Sequence, residues 1–222
     1  MIRKIINFFW FLLLLLLLIT VYLSYFGIET KKFNQLIKDQ ISKKNNKIDI
    51  ELNKVKILLN IRNFSFNIKT INPKVFYKEK QIKLNKISTN FSLNRFFSKN
   101  FFIDNIEIST QEIKIKDILS ILKNYNPSIQ LFIIENMIKE GTVVADLNLN
   151  FDNQGKIKKN YELNALIKDG LIKVLSKRHI SNINLKLNIK DKNYLLKDLD
   201  LNFDELKFFS KSINIKKVNK NF

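Results

Sequence analysis

The chain alternates apolar and polar residues with a period of two, in one short run after another, from Ile48 to Ile215. Such alternation places successive side chains on opposite faces of a strand, so each run predicts a half-buried strand. The runs are Ile48/Ile50/Leu52, Val55/Ile57/Leu59/Ile61, Phe64/Phe66/Ile68, Ile82/Leu84, Ile87/Thr89/Phe91/Leu93, Ile106/Ile108, Ile113/Ile115, Val143/Ala145/Leu147/Leu149/Phe151, Ile183/Leu185/Leu187/Ile189, Leu199/Leu201/Phe203 and Ile213/Ile215. We therefore expect roughly ten or more mostly antiparallel strands.

Turn and helix signals separate these runs. The alternation changes phase at Asn53-Lys54, which predicts a bulge or turn, and it stops again at Asn72-Pro73. The segment 152–155 (DNQG) predicts a turn between two strands, and Asp169-Gly170 predicts a two-residue hairpin. Residues 117–123 (DILSILK) predict a helix that interrupts the strands.

The apolar face of every strand has to be covered, and few helices are available to cover it. Apolar area is worth about 25 cal/mol per Å², so a wet face would cost more than the marginal stability of a domain. The sheet can close into a barrel filled by its own side chains, pack as a sandwich, or hold a hydrophobic ligand. The residues alone leave these three arrangements open.

Residues 5–26 form an apolar run interrupted only by Asn7, Thr20 and Ser24. About 22 helical residues span roughly 33 Å, enough for a bilayer core of about 30 Å. A cleaved signal peptide has a shorter apolar core and a small-residue cleavage site, which residues 25–29 (YFGIE) do not offer. We predict an uncleaved signal anchor.

Aromatic and basic residues flank this run. Trp10, Tyr22 and Tyr25 lie near its ends, where aromatic residues favour the membrane interface. Arg3 and Lys4 precede it, although Lys31 and Lys32 follow it. We expect a single-pass inner-membrane protein with a cytoplasmic N-terminus and its body in the periplasm.

A short amphipathic helix is expected directly after the anchor. Residues 31–42 place Phe33, Leu36, Ile37 and Ile41 on one helical stripe. This helix can lie on the membrane surface or cover one end of the following domain. The predicted organisation is a cytoplasmic tail and anchor over residues 1–28, the short helix over residues 29–44, and a β domain over residues 45–222.

Composition argues against most enzyme chemistry. The chain has 0 Cys, 1 His and 4 Gly, which excludes thiol catalysis and leaves little material for multi-histidine metal sites or phosphate-binding glycine loops. His179 is expected in a turn or on the surface, and Asp198, Asp200 and Asp204 on an outward polar face. We expect no catalytic residue, no metal and no cofactor.

The net charge of +19 is carried almost entirely by lysine. Arginine is preferred for bidentate phosphate and base contacts. The only arginines are Arg3, Arg62, Arg95 and Arg178, which argues against nucleic-acid recognition. A lysine-rich solvated surface is the simpler interpretation, and attraction to anionic lipid headgroups is the alternative.

The order of these features resembles the start of AsmA-like envelope proteins, a family that includes the TamB and YhdP types. Residues 55–73 (VKILLNIRNFSFNIKTINP) resemble the family's first strand pair and its exit. Residues 87–109 (ISTNFSLNRFFSKNFFIDNIEIS) resemble its strand, short turn and following strand, and residues 141–172 (GTVVADLNLNFDNQGKIKKNYELNALIKDGLI) resemble a later repeat.

This resemblance implies a mainly β protein, similar to the chorein-type bridge proteins, in which a curved antiparallel sheet follows the anchor and forms a taco-like groove. Phospholipid acyl chains are then the partners that cover the apolar face. Alternation predicts the groove residues Ile57, Leu59, Ile61, Phe64, Phe66, Leu147, Leu149, Phe151, Leu185, Leu187 and Ile189. Typical members are several times longer, so this chain is expected to be a truncated member or to work with an envelope partner that extends the groove at its C-terminal strand edge.

Two other functions remain open at this point. The chain can be a structural or assembly factor for outer-membrane proteins that uses its open strand edges. It can also be a short component of a lipopolysaccharide bridge, which has one anchor and a β-slide but needs a membrane partner.

The topology is testable with a phosphatase reporter fused after Phe222. We expect this reporter to be active, because an anchor with a cytoplasmic N-terminus carries the following body out of the cytoplasm. A reporter that works only in the cytoplasm, fused at the same position, is the matched control and should be inactive. The opposite pair of results would reverse the topology.

Overall fold

A computed structural model describes residues 2–31, 34–35, 38–39, 48–77, 80–92, 105–125, 127–152, 158, 160–175, 178–191 and 193–216. Strand is the dominant structure, at 60%, and one large antiparallel sheet follows an N-terminal apolar helix. The predicted fold class, a mainly β protein with a curved antiparallel sheet, is therefore confirmed.

The helices and strands of the described residues have the following bounds. The helices are α1 (Ile2–Tyr25), α2 (Ile115–Tyr125) and α3 (Ile129–Met137). The strands are β1 (Ile28–Thr30), β2 (Ile48–Glu51), β3 (Val55–Asn60), β4 (Ser65–Ile71), β5 (Lys74–Tyr77), β6 (Lys80–Ser92), β7 (Asn105–Thr110), β8 (Ile113–Lys114), β9 (Ile138–Asn150), β10 (Glu162–Leu175), β11 (Arg178–Lys190), β12 (Asn193–Phe203) and β13 (Leu206–Lys216).

All thirteen strands belong to one sheet, whose main order is β1-β3-β4-β6-β7-β9-β10-β11-β12-β13. Off this path, β2 pairs with β5, β5 also pairs with β6, and β8 pairs with β9. The sheet is not closed into a barrel. A self-filled closed barrel is thereby excluded as the way in which the apolar face is covered.

The N-terminal helix joins the sheet through a tight turn at Gly27. Residues 3–25 are long and apolar enough to cross a membrane. The backbone amides of Phe26 and Gly27 both donate to Tyr22 O, at 2.8 and 3.2 Å. Gly27 has a φ of 67°, and a Cβ there would lie 2.4 Å from Ile57 O. Only glycine fits this position, which lets β1 pair with β3 directly after the helix.

A small core lies where the chain folds β2 and β5 onto the first half of β6. Ile50 is 4% exposed, Tyr77 4% and Leu84 5%, and Val55 at the start of β3 is 1% exposed. The two breaks predicted from the sequence are confirmed: Asn53-Lys54 separates β2 from β3, and Asn72-Pro73 separates β4 from β5. The backbone of Asn72 has a φ of 50°, which asparagine tolerates better than most residues.

The hairpin predicted at Asp169-Gly170 is wrong, because both residues lie inside β10. Asp169 has a φ of 52°, and its backbone amide donates to Asn184 Oδ1 at 3.1 Å. The dipeptide makes a β-bulge instead of a turn. The connection from β10 to β11 instead lies between Leu175 and Arg178, which pair with each other.

Positive-φ residues occur in the middle of four neighbouring strands, β9 to β12. They are Gly141 (φ 125°), Asp169 (52°), Asn182 (51°) and Asp198 (51°). The pairings of these strands shift register close to these residues. We call this set the bulge row. Each bulge adds one residue to its strand, so the apolar positions before and after it differ in phase along the sequence. The apolar residues still meet across the strands, as in the pairs Ile172–Ile180 and Ile180–Phe203.

The helices were only partly predicted. Helix α2 contains residues 117–123 as expected. Helix α3 was not foreseen; Ser128 caps it by accepting a hydrogen bond at Oγ from Leu131 N at 3.2 Å. Of the expected helix at 31–42, Asn34, Gln35, Lys38 and Asp39 are helical. Its apolar stripe of Phe33, Leu36, Ile37 and Ile41 lies outside the described residues.

The bulge row should make Gly141 sensitive to substitution. A Cβ at Gly141 would meet Gly170 Cα at 3.0 Å and would force a φ of 125° on an L-residue. We expect Gly141→Ala to lower the free energy of unfolding by about 1–3 kcal/mol, measured by urea unfolding followed by circular dichroism. The control Asp169→Gly should cause little loss, because glycine adopts its φ of 52° without steric cost. Equal stability of Gly141→Ala and wild type would contradict this role.

Candidate functional site

Cross-strand pairing collects the apolar residues of the strands on one face of the sheet, which we call the apolar face. One line of paired residues on this face crosses nine strands from β3 to β13. The line is Val55–Thr70–Ile87–Ile108–Leu147–Leu163–Ile189–Tyr194–Ile215, and we call it the central row. Eight steps of about 4.8 Å give a length of roughly 38 Å. None of these nine side chains is charged.

Shorter rows lie beside the central row. One row joins Ile57, Ile68, Thr89, Ile106 and Leu149 from β3 to β9. A second row joins Ala145, Ala165, Leu187, Leu196 and Ile213 from β9 to β13. The apolar face is thus a band several residues wide along most of the main path.

Most of the predicted groove residues lie on the apolar face. Ile57, Leu59 and Phe66 lie there in β3 and β4, and Leu59 pairs with Phe66. The members in β9 and β11 belong to or adjoin the rows just described: Leu147, Leu149, Leu185, Leu187 and Ile189. Phe151 directly follows β9 as an isolated bridge residue and is half-buried.

Ile61 and Phe64 are placed elsewhere. Both lie in the turn between β3 and β4, where they are 44% and 64% exposed. The turn is held by hydrogen bonds from Phe64 N to Ile61 O at 3.4 Å and from Asn63 N to Asn60 Oδ1 at 3.3 Å. The predicted strands were therefore too long, since β3 ends before Ile61 and β4 begins after Phe64. Neither side chain pairs across the strands.

Sequence reasoning missed a second group of residues on the apolar face. Leu163, Ala165, Ile167, Tyr194 and Leu196 lie there by pairing. The alternation of residues 163, 165 and 167 was available as a signal. The contribution of β12 was not, because the bulge at Asp198 puts Tyr194 and Leu196 out of phase with Leu199 and Leu201.

Exposure of the apolar face rises toward β13. Val143 is 8% and Leu185 9% exposed near the middle of the sheet. In β13, Ile213 is 36% and Ile215 53% exposed. Helix α2 packs against β9, but no element among the described residues packs over β13. The last strands therefore present an uncovered apolar surface.

The opposite face is held together by amides and ion pairs. Asn67 Nδ2 donates to Asn90 Oδ1 at 2.8 Å, and Asn188 Nδ2 donates to Asn164 Oδ1 at 2.6 Å. Ion pairs on this face join Lys86 to Glu107, Lys190 to Glu162 and Lys207 to Asp200, at 3.4 to 3.5 Å. These contacts satisfy the polar side chains on their own face and fix the register of the strands.

This polar face is not uniformly polar, as alternation alone had implied. An open depression of about 540 Å³ crosses β9 to β12 and is lined there by Val144, Leu166 and Leu195. Lys186 and Lys197 belong to the same lining, with Asp146, Asn164 and Asn188. Ala165 and Leu187 also contribute to this lining, so apolar residues share the depression with charged and amide groups.

The acidic residues near the C-terminus take part in ion pairs and turn contacts. Lys186 Nζ lies 2.9 Å from Asp198 Oδ2, and Asp204 Oδ1 accepts a hydrogen bond from His179 N at 3.3 Å. His179 itself is an exposed residue of β11. Within the described part of the chain, no group of three or more His, Cys, Asp or Glu residues could hold a metal ion.

Two carboxyl groups have lowered pKa values, and lysines are the cause in both cases. The hydrogen bond and charge of Lys186 hold the pKa of Asp198 below its ordinary value of 3.8, with smaller contributions from Lys197 and Lys211. The hydrogen bond and charge of Lys54 lower the pKa of Glu29 in the same way. Both are surface ion pairs that fix local geometry, and neither resembles a catalytic acid.

Comparison of the chain with protein-family models, with curated proteins and with solved structures finds no match to any of them.

The Asp198–Lys186 pair gives a pH-dependent prediction. We expect Lys186→Met to raise the pKa of Asp198 toward 3.8, because it removes the largest cause of the lowering. Since folding lowers this pKa, the contribution to stability is present above the unfolded pKa and is lost as the pH falls through the folded one. The pKa is read from a carbon-13 NMR titration of the carboxyl groups.

The matched control is Lys197→Met, which removes a weaker charge contribution from the same strand pair and should move the pKa less. A larger shift in the Lys197 variant than in the Lys186 variant would contradict the assignment.

Proposed function

We propose that this chain is a non-enzymatic, AsmA-like envelope protein, anchored in the inner membrane, whose apolar face binds or conducts phospholipid acyl chains. The observation that carries the proposal is the central row, which runs uncharged across nine strands of an open sheet. An acyl chain needs such a surface, because any charged side chain along its path would lose hydration against the hydrocarbon.

The energetic argument concerns the uncovered part of the apolar face. Hydrocarbon removed from water is worth about 25 cal/mol per Å², and acyl chains offer hydrocarbon on every side. Ile215, at the β13 end of the central row, gains from this contact because its side chain is about half exposed. Bound lipid would thus supply a cover for β13 that the described helices, which contact β3 and β8 to β10, do not provide.

The mechanism that fits these residues is passive sliding along the apolar face. The central row contains Thr70 and Tyr194 as its only hydroxyl-bearing members, so it offers few fixed points that would hold one headgroup or acyl position. Energy and direction would come from elsewhere. The opposite face, with its asparagine contacts and ion pairs, keeps the sheet in register while lipid moves on the apolar face.

The proposed membrane anchor is supported by the N-terminal helix, which is long and apolar enough to span a membrane. The proposal places the N-terminus in the cytoplasm and the sheet in the periplasm. The ten strands of the main path advance roughly 43 Å at about 4.8 Å per step. This reach favours a partner that extends the groove, and β13 offers an edge for it.

A second candidate function is supported by the same edge. Strand β13 is the last in the order of the described strands, and its consecutive residues Phe208 and Phe209, on opposite faces, are 48% and 70% exposed. Such a strand can accept another chain by strand addition, which fits an assembly factor for outer-membrane proteins. This function predicts a copurifying protein and no bound lipid.

The proposed lipid contact is tested by photocrosslinking the full chain to phospholipids that carry a photoreactive acyl chain. We expect Leu187→Asp to reduce crosslinking by about tenfold or more, because an unpaired carboxylate against hydrocarbon costs several kcal/mol. The matched control is Asn188→Asp, the next residue of β11, which faces the polar side beside Asn164 and should crosslink like wild type.

Circular dichroism must first show that both variants retain the strand structure. Unchanged crosslinking in a folded Leu187→Asp protein would falsify the lipid-binding face, and a copurifying protein in place of lipid would favour the assembly factor.

A further inference from the structure

Helix α3 carries its apolar residues on the side that faces solvent. Ile129 is 76% exposed, Phe132 57% and Ile133 50%. Their spacing of i, i+3 and i+4 puts them on one stripe, and none of the residues of α3 is buried. Ordinary surface helices turn such a stripe toward a core, so this one needs a cover of a different kind.

The stripe belongs to a helical hairpin that connects β8 to β9 and contacts β9 and β10. Helices α2 and α3 pack against each other, and the side chains of Lys123 and Glu135 form an ion pair between them. Residues 127–128 lie at the tip, directly before Ile129, and β9 begins at Ile138. The nine residues of α3 span roughly 14 Å, so the stripe lies in the half of the hairpin nearer the tip.

Cationic residues gather at the base of the same hairpin. Lys114, Lys116 and Lys139 line an open depression of about 320 Å³ together with Glu140, Gly141 and Thr142. All three lysines are exposed. The three lysines outnumber the two nearby carboxylates, Glu140 and Glu112, of which Glu112 accepts a hydrogen bond from Thr142 Oγ1 at 2.6 Å. This balance favours an anionic partner at the base, while the stripe favours hydrocarbon nearer the tip.

One surface supplies both chemistries in that order. An anionic bilayer offers hydrocarbon within about 5–10 Å of its headgroups, and interfacial helices use an apolar stripe with flanking lysines to bind it. The proximity of a bilayer is favoured by α1, which is long and apolar enough to span one. We infer that the α2–α3 hairpin docks on the anionic bilayer that holds α1, with Ile129, Phe132 and Ile133 in its interface.

This docking does not require that the sheet carries lipid. It would tilt the sheet toward the membrane through a second contact, on a strand distant from β1 in the main path. The hairpin would dock in the same way if the sheet carried no lipid. Conversely, if the hairpin stayed in solvent, a lipid-carrying sheet would still be crosslinked to phospholipid, and Leu187→Asp would still reduce that crosslinking.

A single tryptophan tests the inference, because Trp10 is the only one in the chain. The full chain carrying Trp10→Phe and Phe132→Trp is reconstituted in vesicles that contain phosphatidylglycerol, with brominated acyl chains as quenchers. We expect blue-shifted emission and loss of most of the fluorescence. The control tryptophan, Asn193→Trp at the exposed start of β12, should emit at longer wavelength and be quenched little.

The charge requirement is tested in the same vesicles. Changing Lys114, Lys116 and Lys139 to Gln should weaken docking by about fivefold for each lysine removed, since a lysine at an anionic surface contributes about 1 kcal/mol. The protein with its wild-type lysines should dock more weakly by a similar factor when zwitterionic lipid replaces phosphatidylglycerol. Quenching that is indifferent to both changes would overturn the role of the lysines.

Three results at position 132 would overturn the docking itself. Emission typical of water would show a hairpin that stays in solvent. Blue-shifted emission without quenching would show that protein, such as a second copy of this chain, covers the stripe. Quenching only by separately added brominated vesicles would place the contact on another membrane. Ile129→Trp repeats the measurement at a still more exposed position, so a folding defect at 132 would not leave the question open.

Discussion

Cross-strand register is the constraint on which the rest of the structure depends. Alternation gives every strand an apolar and a polar side, but only pairing decides whether the apolar sides of neighbours coincide. A slip of one residue would move a whole strand's apolar set to the other face. The central row keeps the same side through nine strands, and the apolar face exists because eight successive pairings agree.

The polar face contributes to this agreement with side chains that recognise each other. Asparagine pairs such as Asn67–Asn90 and Asn164–Asn188 form one type of contact, and lysine–carboxylate pairs form the other. Exposed ion pairs add little stability individually, yet each is satisfied in one register only. The abundance of asparagine and lysine therefore has a structural use in this sheet that does not depend on any partner for the positive charge.

The sequence predicted the strands well and their partners poorly. Alternation located most strands, and the Asn-Pro pair at residues 72–73 marked a break correctly, because both signals are local. The pairing of β4 with β6, which skips β5, depends on contacts distant in sequence and has no local signal. The hairpin predicted at Asp169-Gly170 is wrong for a related reason, since the same dipeptide suits both a turn and a bulge. The bulge is stabilised from the next strand, where Asn184 Oδ1 accepts a hydrogen bond from Asp169 N.

The candidate site shows the same division. Residues inside regular strands, such as Leu147 and Leu187, could be assigned to a face from alternation. Ile61 and Phe64 could not, because a turn breaks the period there. Helix α3 escaped prediction because its nine residues are mostly apolar, and a short apolar run does not distinguish a buried strand from a helix.

The bulge row limits how this protein can change in length. Loss of one residue from β10 at Asp169 would remove its bulge and invert the faces of everything that follows in that strand, so Ile172 would meet Ile180 from the wrong side. Strands β9, β11 and β12 carry their own positive-φ residues beside it. We therefore expect a deletion in one strand to be tolerated only with matching deletions in its neighbours, so that these distant positions gain or lose residues together over generations.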